Sequence, residues 1–239
     1  MKIVIVGNGR IGRAIAGGIR RARPSWPIRT LGRGDDCAAA REGEVVLLCV
    51  KPQQVRGALE GFASALQPGS LVISVAARTT LADLRAAIPA CVGVVRAMPN
   101  LPVSELVGMT AFACESEPKD LERAEAVFSL LGRTLRVEER LMDAATAMNG
   151  CGPAYAYVIV EAWIDAGIKL GFSYETSRTL VAQTLLGAAA SVLASKEHPA
   201  ALKTAVTTPA GCTIEGLLQL EDGRIRSTIV RAVIAAAEA

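Results

Sequence analysis

Apolar side chains along this chain follow two different rhythms. Up to about residue 140, short β-branched and aliphatic runs alternate with amphipathic stretches. Lys2 to Val6, Ile28 to Leu31, Glu44 to Val50, Leu71 to Ser74, Gly93 to Arg96 and Thr110 to Ala113 read as strands. Helical spacing lies between them, near Gln54 to Ala65, Leu81 to Ala87 and Pro118 to Leu131. Such alternation predicts a mostly parallel sheet covered on both faces, a doubly wound α/β domain over residues 1–140. Only a dozen residues separate Leu31 from Glu44, near the minimum for one crossover between parallel strands. Asp36 to Arg41 can supply no more than a short helix there, so this edge of the sheet is expected to be trimmed.

Past residue 140 the strand pattern stops. Helices are predicted at Pro153 to Leu170, Tyr174 to Ala194, Pro199 to Val206, Thr213 to Leu220 and Gly223 to Ala237, an all-α domain over residues 141–239. Pro153 and Pro199 suit first turns and Gly171 suits a C-terminal stop. The helix from Pro153 is apolar almost all round, broken by Glu161, Asp165 and Lys169, and needs burial on most sides. A homodimer with interleaved helices, or a higher homo-oligomer, meets that need; a compact monomeric bundle is the alternative.

Charge and composition then narrow the chemistry. The net charge is +3, with basic residues scattered in pairs such as Arg20-Arg21, so no stripe tracks a phosphate backbone and no nucleic-acid partner is expected. Strictly apolar runs such as Val45 to Val50 are far below the roughly 20 residues of a membrane span. With a strand-like opening and no cleavable signal, the expectation is a cytoplasmic protein without a membrane partner. Six cysteines lie far apart, with no CxxC pair, and the single histidine, His198, has none near it. No metal site is expected, and most of the cysteines should be small buried packing residues. One histidine leaves little from which to build a hydrolytic triad, which favours chemistry carried by a cofactor.

The run Gly7-Asn8-Gly9-Arg10-Ile11-Gly12 sits between the first strand and a helix. In that setting Gly7 permits the tight turn, Gly9 lets the backbone approach a pyrophosphate, and Gly12 lets helix and strand pack closely. The helix N-terminus then faces the phosphates. A glycine turn without a ligand is the alternative. The second strand ends Leu31-Gly32-Arg33, where an NAD-binding fold places a carboxylate on the ribose 2′-hydroxyl. An arginine instead suits the 2′-phosphate of NADP. Asp35 and Asp36 could still swing toward a ribose, so NAD stays open, as does a solvated loop role for Arg33.

Four stretches in order resemble the pyrroline-5-carboxylate reductase family over nearly the whole chain. Val50-Lys51-Pro52-Gln53 is similar to its VKPQ segment, and Arg96-Ala97-Met98-Pro99-Asn100-Leu101-Pro102 to its RxMPNTP loop. Gly150-Cys151-Gly152-Pro153-Ala154-Tyr155 resembles the GSGPAY helix of its dimerisation domain, and Thr207-Thr208-Pro209-Ala210-Gly211-Cys212-Thr213 its SSPGGxT signature. The resemblance implies a Rossmann-type domain followed by a helical dimerisation domain. It also implies NADPH-dependent reduction of the cyclic imine Δ1-pyrroline-5-carboxylate to L-proline. Val50, Lys51, Pro52, Ala76 and Asn100 would join the glycine turn around the cofactor. The substrate carboxylate would lie on Thr208 and the amides of Ala210, Gly211, Cys212 and Thr213, with the Thr213 hydroxyl on the ring nitrogen. The residues alone allow an anion at this glycine-bearing helix start, or merely an N-cap threonine without a ligand.

Several positions depart from the family pattern. Asn149 and Cys151 stand where serines are usual, Leu101 where a threonine is, Arg78 where a glycine is, and Ala210 in place of one of two loop glycines. The Ala210 methyl is expected to oppose a positive φ. Arg78 could pair with a larger or more acidic substrate, or simply be a surface arginine after a strand. Two other functions are thereby kept in view: reduction of another cyclic or secondary-metabolite imine, and non-catalytic regulation by an NADP-binding scaffold.

Overall fold

A computed structural model describes residues 1–114 and 118–239, apart from the side chain of Cys37. The first unit, Met1–Pro153, begins β1 (Ile3–Val6), α1 (Arg10–Ala22), β2 (Ile28–Leu31), β3 (Val45–Leu48), α2 (Val55–Phe62), β4 (Leu71–Ser74) and α3 (Leu81–Ala87). It continues with β5 (Gly93–Pro99), β6 (Gly108–Ala113), α4 (Pro118–Phe128), β7 (Gly132–Arg136) and α5 (Met142–Ala145), followed by a π turn over Thr146–Gly150. The strand order is β2-β1-β3-β4-β5-β6-β7, parallel throughout except where β6 pairs antiparallel with β5.

β1 and β3 are apolar at every position because both faces of the sheet are covered there. Val4, Val6, Val46, Leu48, Val72 and Val94 pack on one face against Leu59 and Phe62 of α2 and Leu84 of α3. Ile3, Ile5, Leu47, Ile73 and Val95 face the other way, toward Ile15 and Ile19 of α1 and Phe128 of α4. Burying each such side chain contributes about 1.5–3 kcal/mol, so the sheet is the rigid frame on which the loops at its carboxyl ends rest. Phe112 and Phe128 meet edge to face, their ring centroids 5.6 Å apart.

The trimmed edge is present: β2 is the outermost strand, and only a six-residue 3-10 turn, Cys37–Glu42, separates it from β3. β7 lies outside the elements read from the sequence. Gly132-Arg133-Thr134-Leu135-Arg136 carries charge at two of five positions and buries none of them fully, as suits an edge strand protected against further pairing. The cysteine expectation fails. Among the described thiols only Cys49 is buried, Cys114 and Cys151 are partly covered, and Cys91 and Cys212 are exposed. Cys37, the sixth, has its side chain outside the described residues.

The second unit, Ala154–Ala239, takes in most of α6 (Gly152–Lys169) and all of α7 (Tyr174–Ala194), α8 (Pro199–Ala205), α9 (Cys212–Asp222) and α10 (Ile225–Glu238). Ser173 caps α7 by accepting from the Thr176 amide at 3.1 Å. Only Ile164, Ser177 and Val181 of this unit are buried. Tyr157, Trp163, Leu170, Phe172, Leu186 and Ile234 remain exposed, so in one copy the apolar faces of these helices are uncovered. No helix of the described residues is long and apolar enough to cross a membrane.

Candidate functional site

The opening turn leaves β1 at Val6 and enters α1 at Arg10. Gly7 has φ 115, donates its amide to the Leu31 carbonyl at 2.8 Å, and lies so close to the Cys49 carbonyl that a Cβ would overlap it. A Cβ on Gly12 would overlap the Gly7 carbonyl oxygen, so Gly7 and Gly12 are required by the packing of helix, turn and strand. Gly9 differs: it has φ −75, and a Cβ there would meet nothing within 4 Å. Its lack of a side chain serves no neighbour in the described protein. No side chain caps α1, and its first turn holds no acid. The amides of Arg10, Ile11 and Gly12 therefore point outward from a positive helix end, free for an anion. The Asn8 carbonyl accepts from the Arg13 guanidinium at 3.0 Å, which steadies the turn from outside.

Parallel register sets the remaining cofactor candidates side by side, since Leu31, Val6, Leu48, Ser74 and Arg96 are aligned across five strands. Past β2, the Asp35 carboxylate accepts from the Gly32 amide at 2.7 Å and Asp36 accepts from the Ala38 amide at 2.9 Å. Both acids left open for a ribose are thus engaged by local backbone. Arg33 is exposed and makes no hydrogen bond or ion pair among the described residues. Past β3, Val50 is half-buried, Lys51 precedes the 3-10 turn Pro52–Gln54, and the Lys51 amide reaches Gln54 Oε1 at 3.4 Å. Past β4, Ala76 is buried, its amide donating to Ser74 Oγ at 3.3 Å.

Past β5, the Asn100 carboxamide is held from both ends. Its Oδ1 accepts from the Met109 amide and its Nδ2 donates to Asn149 Oδ1, each at 3.0 Å. Asn149 in turn donates to the carbonyls of Met98 at 2.7 Å and Met109 at 3.0 Å. Asn149 thereby ties the π turn to the junction of β5 and β6. The sequence signalled this residue only as a departure from the usual serine. A serine hydroxyl carries one hydrogen and could not reach both carbonyls. Sequence reasoning named Arg96 only as part of the resemblance and gave it no role; it is 2% exposed and paired with Asp143 and, at 3.7 Å, with Glu139. Glu139 further accepts from the Leu81 amide at the start of α3. Cys49, beside the glycine turn, is a spectator: burial pushes its thiol up to about 12.

Within the helical unit, Thr208 to Gly211 form a turn closed by the Gly211 amide on the Thr208 carbonyl at 3.1 Å. Ala210 has φ 55. The expectation that its methyl would oppose a positive φ is therefore wrong: the loop keeps the left-handed shape, at a cost of about 1–2 kcal/mol for a residue with a Cβ. Gly211 is the N-cap of α9, without a side-chain cap, and Thr213 is the second helical residue. Thr213 is partly buried, and its hydroxyl takes no hydrogen-bond partner among the described residues. It is not an N-cap threonine. The amides of Cys212 and Thr213 open onto the loop like those of α1.

Comparison with known proteins decides the family. The chain is 39% identical to the pyrroline-5-carboxylate reductase of Methanosarcina acetivorans, covering 85% of this chain and 76% of that one. It is 42% identical to the Synechocystis enzyme of the same name, covering 84% and 76%. The chain belongs to the pyrroline-5-carboxylate reductase family. Residues 139–239 match the family model described as pyrroline-5-carboxylate reductase dimerisation, and residues 29–78 one described as NADP oxidoreductase coenzyme F420-dependent. Among solved structures, pyrroline carboxylate reductase of Plasmodium falciparum with NADP bound superposes with a TM-score of 0.89 at 29% identity, covering all of this chain and 96% of that one. The chain is accordingly an NAD(P)-dependent oxidoreductase of this type, and its exposed helices belong to the family's dimerisation domain. Two departures from the pyrroline-5-carboxylate reductase pattern share one property. Arg78 and Ala210 both have φ 55, in the left-handed region that glycine adopts without strain.

Proposed function

We propose that this pyrroline-5-carboxylate reductase family member reduces Δ1-pyrroline-5-carboxylate to L-proline with NADPH. The observation that carries the reading is Gly9: it opens a turn that nothing in the protein needs opened, directly over the unpaired amides of α1. A dinucleotide pyrophosphate is the ligand whose size and charge fit that cradle. Bound there, NADPH supplies the hydride. The amides of Arg10, Ile11 and Gly12 hold its phosphates, and Arg33 holds the 2′-phosphate, supported by the engagement of Asp35 and Asp36 elsewhere. Val50, Lys51, Pro52 and Ala76 border the cofactor. Asn100, its carboxamide committed to Met109 and Asn149, shapes the nicotinamide pocket by fixing the loop rather than by reaching into it.

In the helical unit, Thr208 and the amides from Ala210 to Thr213 hold the substrate carboxylate. The Thr213 hydroxyl accepts from the protonated ring nitrogen. Hydride adds to C5 as the C=N π pair collapses onto nitrogen, whose proton is already in place, so no strong side-chain acid is needed. Catalysis comes chiefly from orientation. Two copies pair through the helical unit, supported by its uncovered apolar faces. We also place the protein in the cytoplasm, where a reducing milieu would keep its five described free thiols unpaired.

The test follows nucleotide absorbance with NADPH and NADH at matched concentrations, using five- and six-membered cyclic imino acids. NADPH consumption with the five-membered substrate is expected. Consumption only with the six-membered one would move the activity to another imine. Tight NADPH binding with no turnover would leave a regulator, and a strong NADH preference would overturn the role of Arg33.

A further inference from the structure

The glycine turn carries a second cation on the side that faces β2. Arg13 stands one turn into α1, and its Nη1 donates to the Asn8 carbonyl at 3.0 Å, the one hydrogen bond its side chain makes among the described residues. A guanidinium has further N–H donors to give, so its head is anchored to the turn but not used up by it. Arg13 lines a groove of about 440 Å³ with Asn8, Ala16, Gly17, Arg20 and Thr30, the last being the residue of β2 before Leu31. Both charged groups of that lining are arginines, and no carboxylate is among them. Asn8 links the groove to the end of the strand: a Cβ on Gly32 would sit 3.7 Å from the Asn8 Cβ, and Arg33 follows Gly32. Arg13 and Arg33, both exposed, therefore approach Asn8 from two sides, one from the helix and one from β2. The Asp35 carboxylate, which also lies against Gly32, is committed to the Gly32 amide at 2.7 Å.

We propose that Arg13 is a specificity-determining residue, the second arm of a clamp that it forms with Arg33 around the 2′-phosphate of NADPH. This rests on the dinucleotide reading above. The end of β2 is where such a fold holds the adenosine ribose, whose 2′ position carries a neutral hydroxyl in NADH. In NADPH it carries a phosphate monoester with a charge of about −1.5 to −2. One guanidinium leaves part of that charge unpaired; a second, already anchored to the glycine turn, completes the pairing at little further cost in side-chain freedom.

The test titrates NADPH and NADH by nucleotide fluorescence against the wild type, Arg13→Ala, Arg13→Lys and Arg20→Ala. Arginine and alanine are both strong helix formers, so Arg13→Ala should fold, and NADH binding serves as its internal control. Arg13→Ala should weaken NADPH about tenfold, the scale of one hydrogen bond to a charged group, and change NADH less than about twofold. Arg13→Lys should recover part of the loss, keeping the charge without the fork. Arg20 lines the same groove but lies seven residues on, roughly 10 Å along the helix and about one Debye length at ordinary salt. Arg20→Ala should therefore leave both affinities within about twofold. Equal weakening of both dinucleotides by Arg13→Ala would overturn the proposal, because Arg13 would then only brace the turn under the pyrophosphate they share. Unchanged NADPH affinity would overturn it as well. So would a loss in Arg20→Ala as large as that in Arg13→Ala, the mark of diffuse positive charge rather than a contact. Arg33→Ala, measured alongside, separates this proposal from the reading beneath it. NADPH-specific loss in Arg33→Ala with none in Arg13→Ala removes only the second arm, whereas a wild type that binds both dinucleotides equally, or neither, removes the 2′-phosphate site itself.

Discussion

Replacing Gly9 with alanine separates what the glycine turn does for the fold from what it does for a ligand. At φ −75 and ψ −176 alanine is unstrained, and its methyl would meet no atom within 4 Å. Two small effects on stability oppose each other. Alanine is a poorer N-cap than glycine, by about 0.5–1 kcal/mol; it also restricts the unfolded chain, gaining about 0.4–1 kcal/mol. The net change is within ~0.5 kcal/mol, which for a chain of this size moves the melting temperature by less than about 2 °C. Binding should respond very differently. If the methyl pushes the pyrophosphate off one or two α1 amides, each charge-assisted bond lost costs about 1.5–3 kcal/mol. Affinity would then fall by roughly one to four orders of magnitude. Gly12→Ala should do the reverse in the free protein: its Cβ collides with the Gly7 carbonyl, and overpacking of this kind costs about 1–3 kcal/mol. Thermal melts without cofactor, paired with NADPH fluorescence titrations, read both quantities. A Gly9→Ala protein that binds NADPH as tightly as the wild type would refute the reasoning. A large drop in its melting temperature would show that the turn needs Gly9 for itself.

Three further outcomes follow from the same geometry. Arg33→Ala should raise the KM for NADPH about 10- to 100-fold and leave that for NADH nearly unchanged, because both nearby carboxylates are already engaged; equal effects on the two cofactors would dismiss Arg33 as the 2′-phosphate contact. Ala210→Gly should not destabilise the protein and should gain up to about 1 kcal/mol, the relief of left-handed strain less the added freedom of glycine in the unfolded chain; a clear fall in a denaturant midpoint would contradict it. In native protein at neutral pH a thiol reagent should modify Cys91 and Cys212 quickly but spare Cys49, whose buried thiol is pushed up to about 12. Since that folded value exceeds the unfolded one near 9.0, the burial of Cys49 should also lower stability as pH rises above about 9. Rapid labelling of Cys49 without unfolding, detected by mass spectrometry of its peptide, would contradict the burial.

The sheet was readable because its central strands are apolar on both faces, as Ile3 to Val6 and Val45 to Leu48 must be between two layers of helix. α7 was readable to its ends, Ser173 and Ser195, since an N-cap serine and a break in helical character bound it. β7 was not, because an edge strand with Arg133 and Arg136 has no periodic apolar signal. Among the candidate site residues, the glycine turn has a local cause and showed itself locally. The roles of Arg96 and Asn149 depend on partners 40 to 51 residues away along the chain, and no window of sequence contains them. Ala210 shows a different limit. Residue type argued against a left-handed φ, yet Ala210 adopts it inside the hydrogen-bonded turn from Thr208 to Gly211, where backbone geometry overrides side-chain preference.

The most direct test of the account is stoichiometric: purified protein is given NADPH and Δ1-pyrroline-5-carboxylate, and nucleotide oxidation and proline formation are followed together. One proline should form for each NADPH consumed, and at subsaturating NADPH the rate should fall sharply in Gly9→Ala. NADPH that binds to the glycine turn yet is never oxidised by the imine would contradict it.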